Sequence, residues 1–298
     1  MPAHPAARVR QAIAGAQTLH FVGANDALSA LLIERAGFDG VYLGSYSTQA
    51  TFLAKPDLDL MPKTERLFIL RNVVKAVSVP VIADMEEGYG NAISVIEAVR
   101  DFEATGAAGV HIDDEVIPCK CPVMQGVPPN RLLSTEEMCG KIRAAVCARQ
   151  NPDFLLIARS DVVGTVTREE YYQHNLMEEV VRRSNLYAAA GADAIMIMGF
   201  TEEELSYYAK KVSAPLIGLY APAEPIAFGE FRRRKYALAI GTIATLYMYM
   251  RALIDGLREL KRTEDWNAVQ DRMVTDPEFF QVLGLERYRR MYKEFSIS

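Results

Sequence analysis

The 298-residue chain is poor in cysteine (four), histidine (four) and tryptophan (one), and it has no long block of one charge sign. Each scarcity excludes something. Cys119, Cys121, Cys139 and Cys147 are too few for a disulfide scaffold in a chain of this length. Cys119-Lys120-Cys121 is a C-x-C pair with no second pair at zinc spacing, which argues against a structural zinc site. Cys139 and Cys147 sit about two helical turns apart and read as ordinary core or surface thiols. The formal net charge of -5 and the lack of a basic stripe exclude a nucleic-acid partner. The one basic run, Phe231–Lys235, reads as a solvated face. The most apolar late stretch, Ala237 to Ile254, is interrupted by Arg251 and is not a clean membrane span. The first residues contain no apolar signal core, so free thiols in a reducing, cytoplasmic compartment are expected.

What the chain does have is a core. Half of its residues are hydrophobic, and short β-rich runs alternate with amphipathic helical stretches. Strands are expected at Leu19–Ala24, Gly40–Gly44, Val79–Asp84, Gly109–Asp113, Phe154–Arg159, Ala194–Met198, Pro215–Leu219 and Tyr236–Ile240. Their near-continuous apolar character suits strands buried on both faces of a parallel sheet. Helices are expected at Asp26–Ala36, Lys63–Val77, Ala92–Thr105, Thr135–Arg149, Glu169–Ala190, Glu202–Val212 and Ile243–Leu260. Gly37, Gly106 and Gly191 stand where left-handed helix stops belong, and Ser134 to Glu137 reads as a capping box. Eight alternations predict a single (β/α)8 TIM barrel over residues 1–298, with C-terminal helices from about 243. An open doubly wound sheet is the alternative. Tyr46–Pro62 and Glu115–Leu133 are long connections after strand C-termini, where binding loops of a barrel lie.

Acids gather at those strand ends. Val79 to Asp84 runs into Glu86 and Glu87, Val110 to Asp113 runs into Asp114 and Glu115, and Leu156 to Arg159 runs into Asp161. Residues two apart share a side of a strand, so Asp84 and Glu86 would converge with Asp113 from the next strand. Packed carboxylates repel unless a cation neutralises them. Hard oxygen ligands suit Mg2+, with Mn2+ also acceptable, and such an ion would polarise a substrate carbonyl. Any one acid alone reads as a turn or capping residue; three successive strand ends favour a site. Gly88-Tyr89-Gly90 lacks the spacing and lysine of a phosphate loop and reads as a tight turn. His111 is expected to pack in the core or against a helix, with a role near the site as the alternative because Asp113 two residues on could share its side, and His20 and His174 have no partner motif.

Several motifs, in order, carry a resemblance. They are Asn25-Asp-Ala-Leu-Ser-Ala30, Glu34-Arg-Ala-Gly-Phe38, Pro56-Asp57-Leu58 and Asp84-Met-Glu86-Glu-Gly88-Tyr-Gly90-Asn91. Gly106 to Asp114, Ser134 to Met138 and Ile157-Ala-Arg159-Ser160-Asp161 complete the set. Together they resemble the isocitrate lyase/phosphoenolpyruvate mutase superfamily, especially its methylisocitrate lyases, dimethylmalate lyases and carboxyphosphonoenolpyruvate mutases. The resemblance implies the barrel, Mg2+ and a small 2-oxo or 2-hydroxy acid. It also implies a homotetramer, a dimer of dimers, in which the C-terminal helical extension is swapped between subunits. It assigns the metal to Asp84, Glu86 and Asp113, and the substrate carboxylate to Gly44, Ser45, Tyr46 and Arg159, with Asp84 nearby. Asp57, Lys120, Cys121 and Arg159 take the catalytic positions.

The departures bear on the reaction. Where the lyases carry Lys-Lys/Arg-Cys-Gly-His, this chain reads Cys119-Lys120-Cys121-Pro122-Val123. Met198 and Leu219 replace the lyases' Glu and Asn, so a tricarboxylate is disfavoured. Three functions follow. The first is a metal-dependent carbon–carbon lyase acting on a substituted malate-like acid, with Cys121 protonating the leaving carbon. The second is other superfamily chemistry, either a phosphonopyruvate mutase or hydrolase or an oxaloacetate-type decarboxylase. The third is a non-catalytic barrel used for binding or assembly.

Overall fold

The computed structural model describes residues 5–122, 124, 127–220 and 226–296. Val123, at the loop's last altered position, lies outside them. The strands are β1 (Leu19–Gly23), β2 (Gly40–Leu43), β3 (Val81–Asp84), β4 (Gly109–Asp113), β5 (Leu155–Ser160), β6 (Ala194–Met198), β7 (Leu216–Tyr220) and β8 (Leu238–Gly241). They follow one another in sequence order around a closed barrel, and β8 pairs back to β1 in parallel. The expected TIM barrel is therefore the fold, with every strand end within two residues of the sequence reading. Val79 and Pro80 stay outside β3. Pro80 has no N–H for a ladder, and its carbonyl accepts from Val41 N at 2.9 Å.

The barrel helices are α1 (Pro5–Ala14), α2 (Ala27–Arg35), α3 (Ser45–Leu53), α4 (Lys63–Ala76), α5 (Ala92–Glu103), α6 (Thr135–Ala148), α7 (Arg168–Gln173), α8 (Met177–Ala189), α9 (Glu202–Lys211) and α10 (Phe228–Arg233). Gly37, Gly106 and Gly191 have φ of 86°, 87° and 112°, the left-handed stops the pattern predicts. Ser134 caps α6 by accepting from Glu137 N at 3.1 Å.

Two expectations need correction. The stretch Glu169–Ala190 is two helices, because Asn175 turns left-handed at φ 50° between α7 and α8. Tyr46–Pro62 is not all loop, since it contains most of α3. That helix buries Ser45, Ser47, Thr48 and Gln49 and so presents no apolar stripe to a sequence reader.

The chain divides into two compact units, Met1–Thr245 and Leu246–Ser298. The first is the barrel. The second holds most of α11 (Ala244–Thr263), together with α12 (Asp276–Val282) and α13 (Leu285–Phe295), which touch one another. Among the described residues no helix is long and apolar enough to cross a membrane.

Candidate active site

Strand side chains alternate, so every second one enters the barrel. Phe21, Tyr42, Ile82, Ile157, Met196 and Ile217 belong to the cluster that fills it. Two residues further along, the same inward series reaches Gly44, Asp84, Arg159, Met198 and Leu219. On β4 the step from His111 ends at Asp113, and on β8 the step from Ile240 ends at Thr242. These terminal residues line a cavity of about 50 Å³ at the C-terminal mouth, where barrel enzymes place their chemistry. Gly44, Ser45, Tyr46, Asp57, Asp84, Glu86, Asp113, Lys120, Cys121 and Arg159, every site residue expected from sequence, line this same cavity.

Asp84 lies at the centre. Its carboxylate accepts from Ser45 N at 3.0 Å and from Glu86 N at 2.9 Å. Burial works against the charge, but His111, Arg66 and Arg159 more than offset it and hold the pKa well below the usual carboxylate range. Register places Asp84 opposite His111, and Asp113 opposite Arg159. His111 is fully buried, as expected, yet it belongs to the site. Nδ1 lies 2.6 Å from Asp113 Oδ1 and Nε2 lies 3.0 Å from the Tyr42 hydroxyl. Burial alone would lower its pKa, but Asp84 and Asp113 raise it. The available signal was its inward parity with Asp113.

The acids do not all act alike. Glu86 lines the cavity, but its Oε1 is bound by Arg66, a fully buried α4 guanidinium that sequence reasoning missed. Burial disfavours the Arg66 charge, and Glu86 and Tyr89 overcome this, so its pKa is raised. Asp57 accepts from Ser45 Oγ at 2.8 Å and from Gln49 Nε2 at 2.5 Å. Burial, followed by the neighbouring Asp84 charge, pushes its pKa up to about 6. Arg159 is held on Asp161 through Nε at 2.9 Å, and its Nη1 lies 3.4 Å from Asp113 Oδ2.

Over this cavity runs the strap of residues 119–122. Cys119 is buried, with Sγ 3.5 Å from Glu87 Oε2, and burial followed by Glu115 and Glu87 pushes its thiol far up. It is therefore a protonated thiol rather than a nucleophile. Cys121 is half-buried, and its N–H donates to Asp57 O at 3.4 Å. The Lys120 ammonium donates to Pro128 O at 2.6 Å. Glu115, also missed from sequence, is buried under the strap, and burial followed by Asp161 and Asp113 raises its pKa to about 10.

The residues fit a divalent cation. Asp84, His111 and Asp113 each bring a potential ligand atom within 4.8 Å of the others. With His111 Nδ1 bonded to Asp113, the donors best placed to meet an ion are the Asp84 and Asp113 oxygens, a hard set. Of the five carboxyl groups on the cavity wall, Glu86 is met by Arg66 and burial keeps Glu115 protonated, so the Asp84 and Asp113 pair beside Arg159 is where a cation would add neutralising charge.

A closed parallel barrel with an acid-ringed, thiol-capped pocket at its strand C-termini defines the class: a barrel with the site architecture of an enzyme. The chain belongs to the phosphoenolpyruvate phosphomutase family, whose profile matches residues 10–261. It is 34% identical to the 2,3-dimethylmalate lyase of Eubacterium barkeri, covering 98% of both chains. It is 35% identical to a 2-methylisocitrate lyase of Aeropyrum pernix, covering 90% of this chain and 83% of that one. A phosphonopyruvate hydrolase structure in complex with oxalate and Mg2+ superposes with a TM-score of 0.86 at 26% identity, covering 98% of this chain and 99% of that one.

Proposed function

We propose that this protein is a divalent-metal-dependent carbon–carbon lyase that cleaves a small substituted 2-hydroxy or 2-oxo dicarboxylate, using Mg2+ or, in its place, Mn2+, in the cytoplasm. The observation that carries the proposal is the polarity gradient of the cavity. Asp84, Asp113 and Arg159 come from the side of β3, β4 and β5, Met198, Leu219 and Ile243 from the side of β6, β7 and β8, and Cys121 lies on the strap. The lyase names of the two relatives and the Mg2+ and oxalate bound by the hydrolase support it.

A bound divalent cation would supply Lewis-acid stabilisation of charge developing on the substrate's 2-oxygen. The protein's own groups do the rest. Arg159 and the N–H groups of Gly44 and Tyr46 at the start of α3 take the substrate carboxylate, the helix terminus favouring negative charge, while the Ser45 N–H holds Asp84. Asp57, with its pKa near 6, accepts the 2-hydroxyl proton. The bond between the second and third carbons breaks, its electron pair stays on the third carbon, and the Cys121 thiol returns a proton there. The strap and the apolar wall keep water from competing for that carbon.

Phosphonate chemistry is less well served. Beyond Arg159, already given to the substrate carboxylate, the other base lining the cavity among the described residues is Lys120, and its ammonium donates to a backbone carbonyl.

The test is a panel of 2-alkylmalates, oxaloacetate and phosphonopyruvate incubated with Mg2+, following pyruvate, glyoxylate and phosphate. Pyruvate from an alkylmalate supports the lyase, whereas phosphate release from phosphonopyruvate alone overturns it. Cys121→Ser is expected to lose about 100-fold or more in turnover while binding Mg2+ with unchanged affinity by calorimetry. Full activity in that variant would remove Cys121 from the mechanism.

The proposal extends to assembly as a homotetramer, a dimer of dimers in which the C-terminal helices are exchanged. Supporting it, α11 exposes Met250, Leu253 and Leu257 at helical spacing.

A further inference from the structure

We infer that Glu115 and Asn130 form a clasp that positions Cys121 against the substrate cavity. The inference rests on the acid role proposed above for Cys121 and names what holds that thiol in place.

Three consecutive acids end β4, and only the last serves the strap. The Glu115 side chain is buried, and both its oxygens are engaged. Oε1 accepts from Asn130 Nδ2 at 2.5 Å and Oε2 accepts from the backbone N–H of Lys120 at 2.9 Å. The same Asn130 amide also donates to Lys120 O at 2.7 Å. Both backbone polar groups of the residue preceding Cys121 are thus held by one pair of side chains. Asn130 is itself anchored, because its N–H donates to Gly164 O at 2.9 Å in the turn after β5. The returning chain brings it there: Val116 N donates to Arg131 O at 2.8 Å, and Glu115 bridges antiparallel to Leu132.

Lys120 and Cys121 both line the cavity. A proton donor works only within hydrogen-bond reach of the atom it serves, and a misplacement of about 1 Å can cost about 100-fold. Fixing the N–H and C=O of residue 120 restricts the torsions that aim residue 121. Lys120 holds the far side of the loop through Pro128 instead of reaching the substrate. These bonds account for a buried acid that neither the metal end nor the apolar end of the cavity uses.

The experiment uses the full chain and reads the position of Cys121 directly. Alkylation by iodoacetamide is followed peptide by peptide by mass spectrometry, with exposed Cys147 as the internal reference. Asn130→Ala removes the clasp. Gly164→Ala displaces it without deleting a polar group, because a Cβ there would lie 2.9 Å from Asn130 Nδ2 and 3.3 Å from Pro122 Cβ. In both variants Cys121 is expected to alkylate about tenfold faster relative to Cys147, with kcat falling about tenfold and KM within about twofold. Glu115→Gln keeps an oxygen for Lys120 N–H, and a smaller change in the same direction is expected. It also serves as the reserve if Asn130→Ala fails to fold by circular dichroism. Wild-type labelling and wild-type kcat in folded Asn130→Ala and Gly164→Ala would overturn the clasp. Faster labelling alongside a fully active Cys121→Ser would keep the clasp and reject the acid role. Unchanged labelling with an inactive Cys121→Ser would do the reverse.

Discussion

Asp113, Asp114 and Glu115 are adjacent in sequence and have three different tasks. Alternation sends Asp113 into the barrel mouth against His111 and Arg159. It sends Asp114 outward, where the Tyr187 hydroxyl donates to it at 2.7 Å and Asp161 N at 2.8 Å, tying β4 to β5 and α8. Glu115, past the strand end, turns up to the strap. A comparable division is proposed for Asp57, which holds Ser45 and would take the substrate's proton. Its folded pKa of about 6 lies above the ordinary 3.8, chiefly through burial and then through Asp84. A carboxyl of this kind keeps its proton longer when folded than when unfolded. Its contribution to stability is therefore full below about pH 4 and lost as pH rises through about 6. The loss is on the order of 3 kcal/mol when complete. Asp57→Asn, melted without metal, is expected to have a higher Tm than wild type at pH 8 and a similar one at pH 4. A Tm gain of equal size at both pH values would show that the carboxylate charge is not the cause. With metal and substrate, the same variant loses turnover because its amide cannot accept the proton.

At the scale of elements, legibility in the sequence followed burial. The eight strands are apolar on both faces, so their runs stand out, and counting residues from the strand ends places Asp84, Asp113 and Arg159 at the mouth. Helix α3 was hidden because a site-facing helix buries hydroxyls and an amide instead of a leucine stripe. His111 was visible by parity, two residues before Asp113, but its apolar strand favoured a packing role. Arg66 was not visible, since twenty residues separate it from Glu86 and nothing periodic relates them. Asn130 and Glu115, fifteen apart across a loop, were equally opaque. The apolar end of the cavity was legible as the replacements Met198 and Leu219, and it carries a prediction about choice of substrate. Each methyl group sheltered there is worth about 0.8 kcal/mol, and an amide placed opposite it would be left without a partner. Leu219→Asn is expected to lower kcat/KM for an alkyl-substituted malate about tenfold more than for unsubstituted malate. Competition between the two substrates measures the ratio directly. An unchanged ratio would mean that the alkyl group lies elsewhere.

At the scale of the whole molecule, the C-terminal unit poses a physical problem. Among its described residues α11, α12 and α13 bury few apolar side chains, leaving Met250, Leu253 and Leu257 exposed by 47%, 43% and 60%, and Trp266 by 67%. The first three recur at i, i+3 and i+7, one face of a helix. Leaving such a stripe in water forfeits about 25 cal/mol for every Å² that a partner could cover, and monomers rarely tolerate it. A second copy of the chain is the partner proposed here. Light scattering on the purified protein at micromolar concentration is then expected to give the mass of four chains. Leu257→Asp would place a charge in the covered stripe, where desolvation penalises it. It is expected to shift the species to dimers or monomers, with a Tm that depends more steeply on protein concentration. The substitution lies outside the barrel unit, so barrel secondary structure measured by circular dichroism should remain. If the wild-type chain runs as a monomer across that concentration range, the exchange of helices has no basis, and the stripe must be covered by something other than this chain.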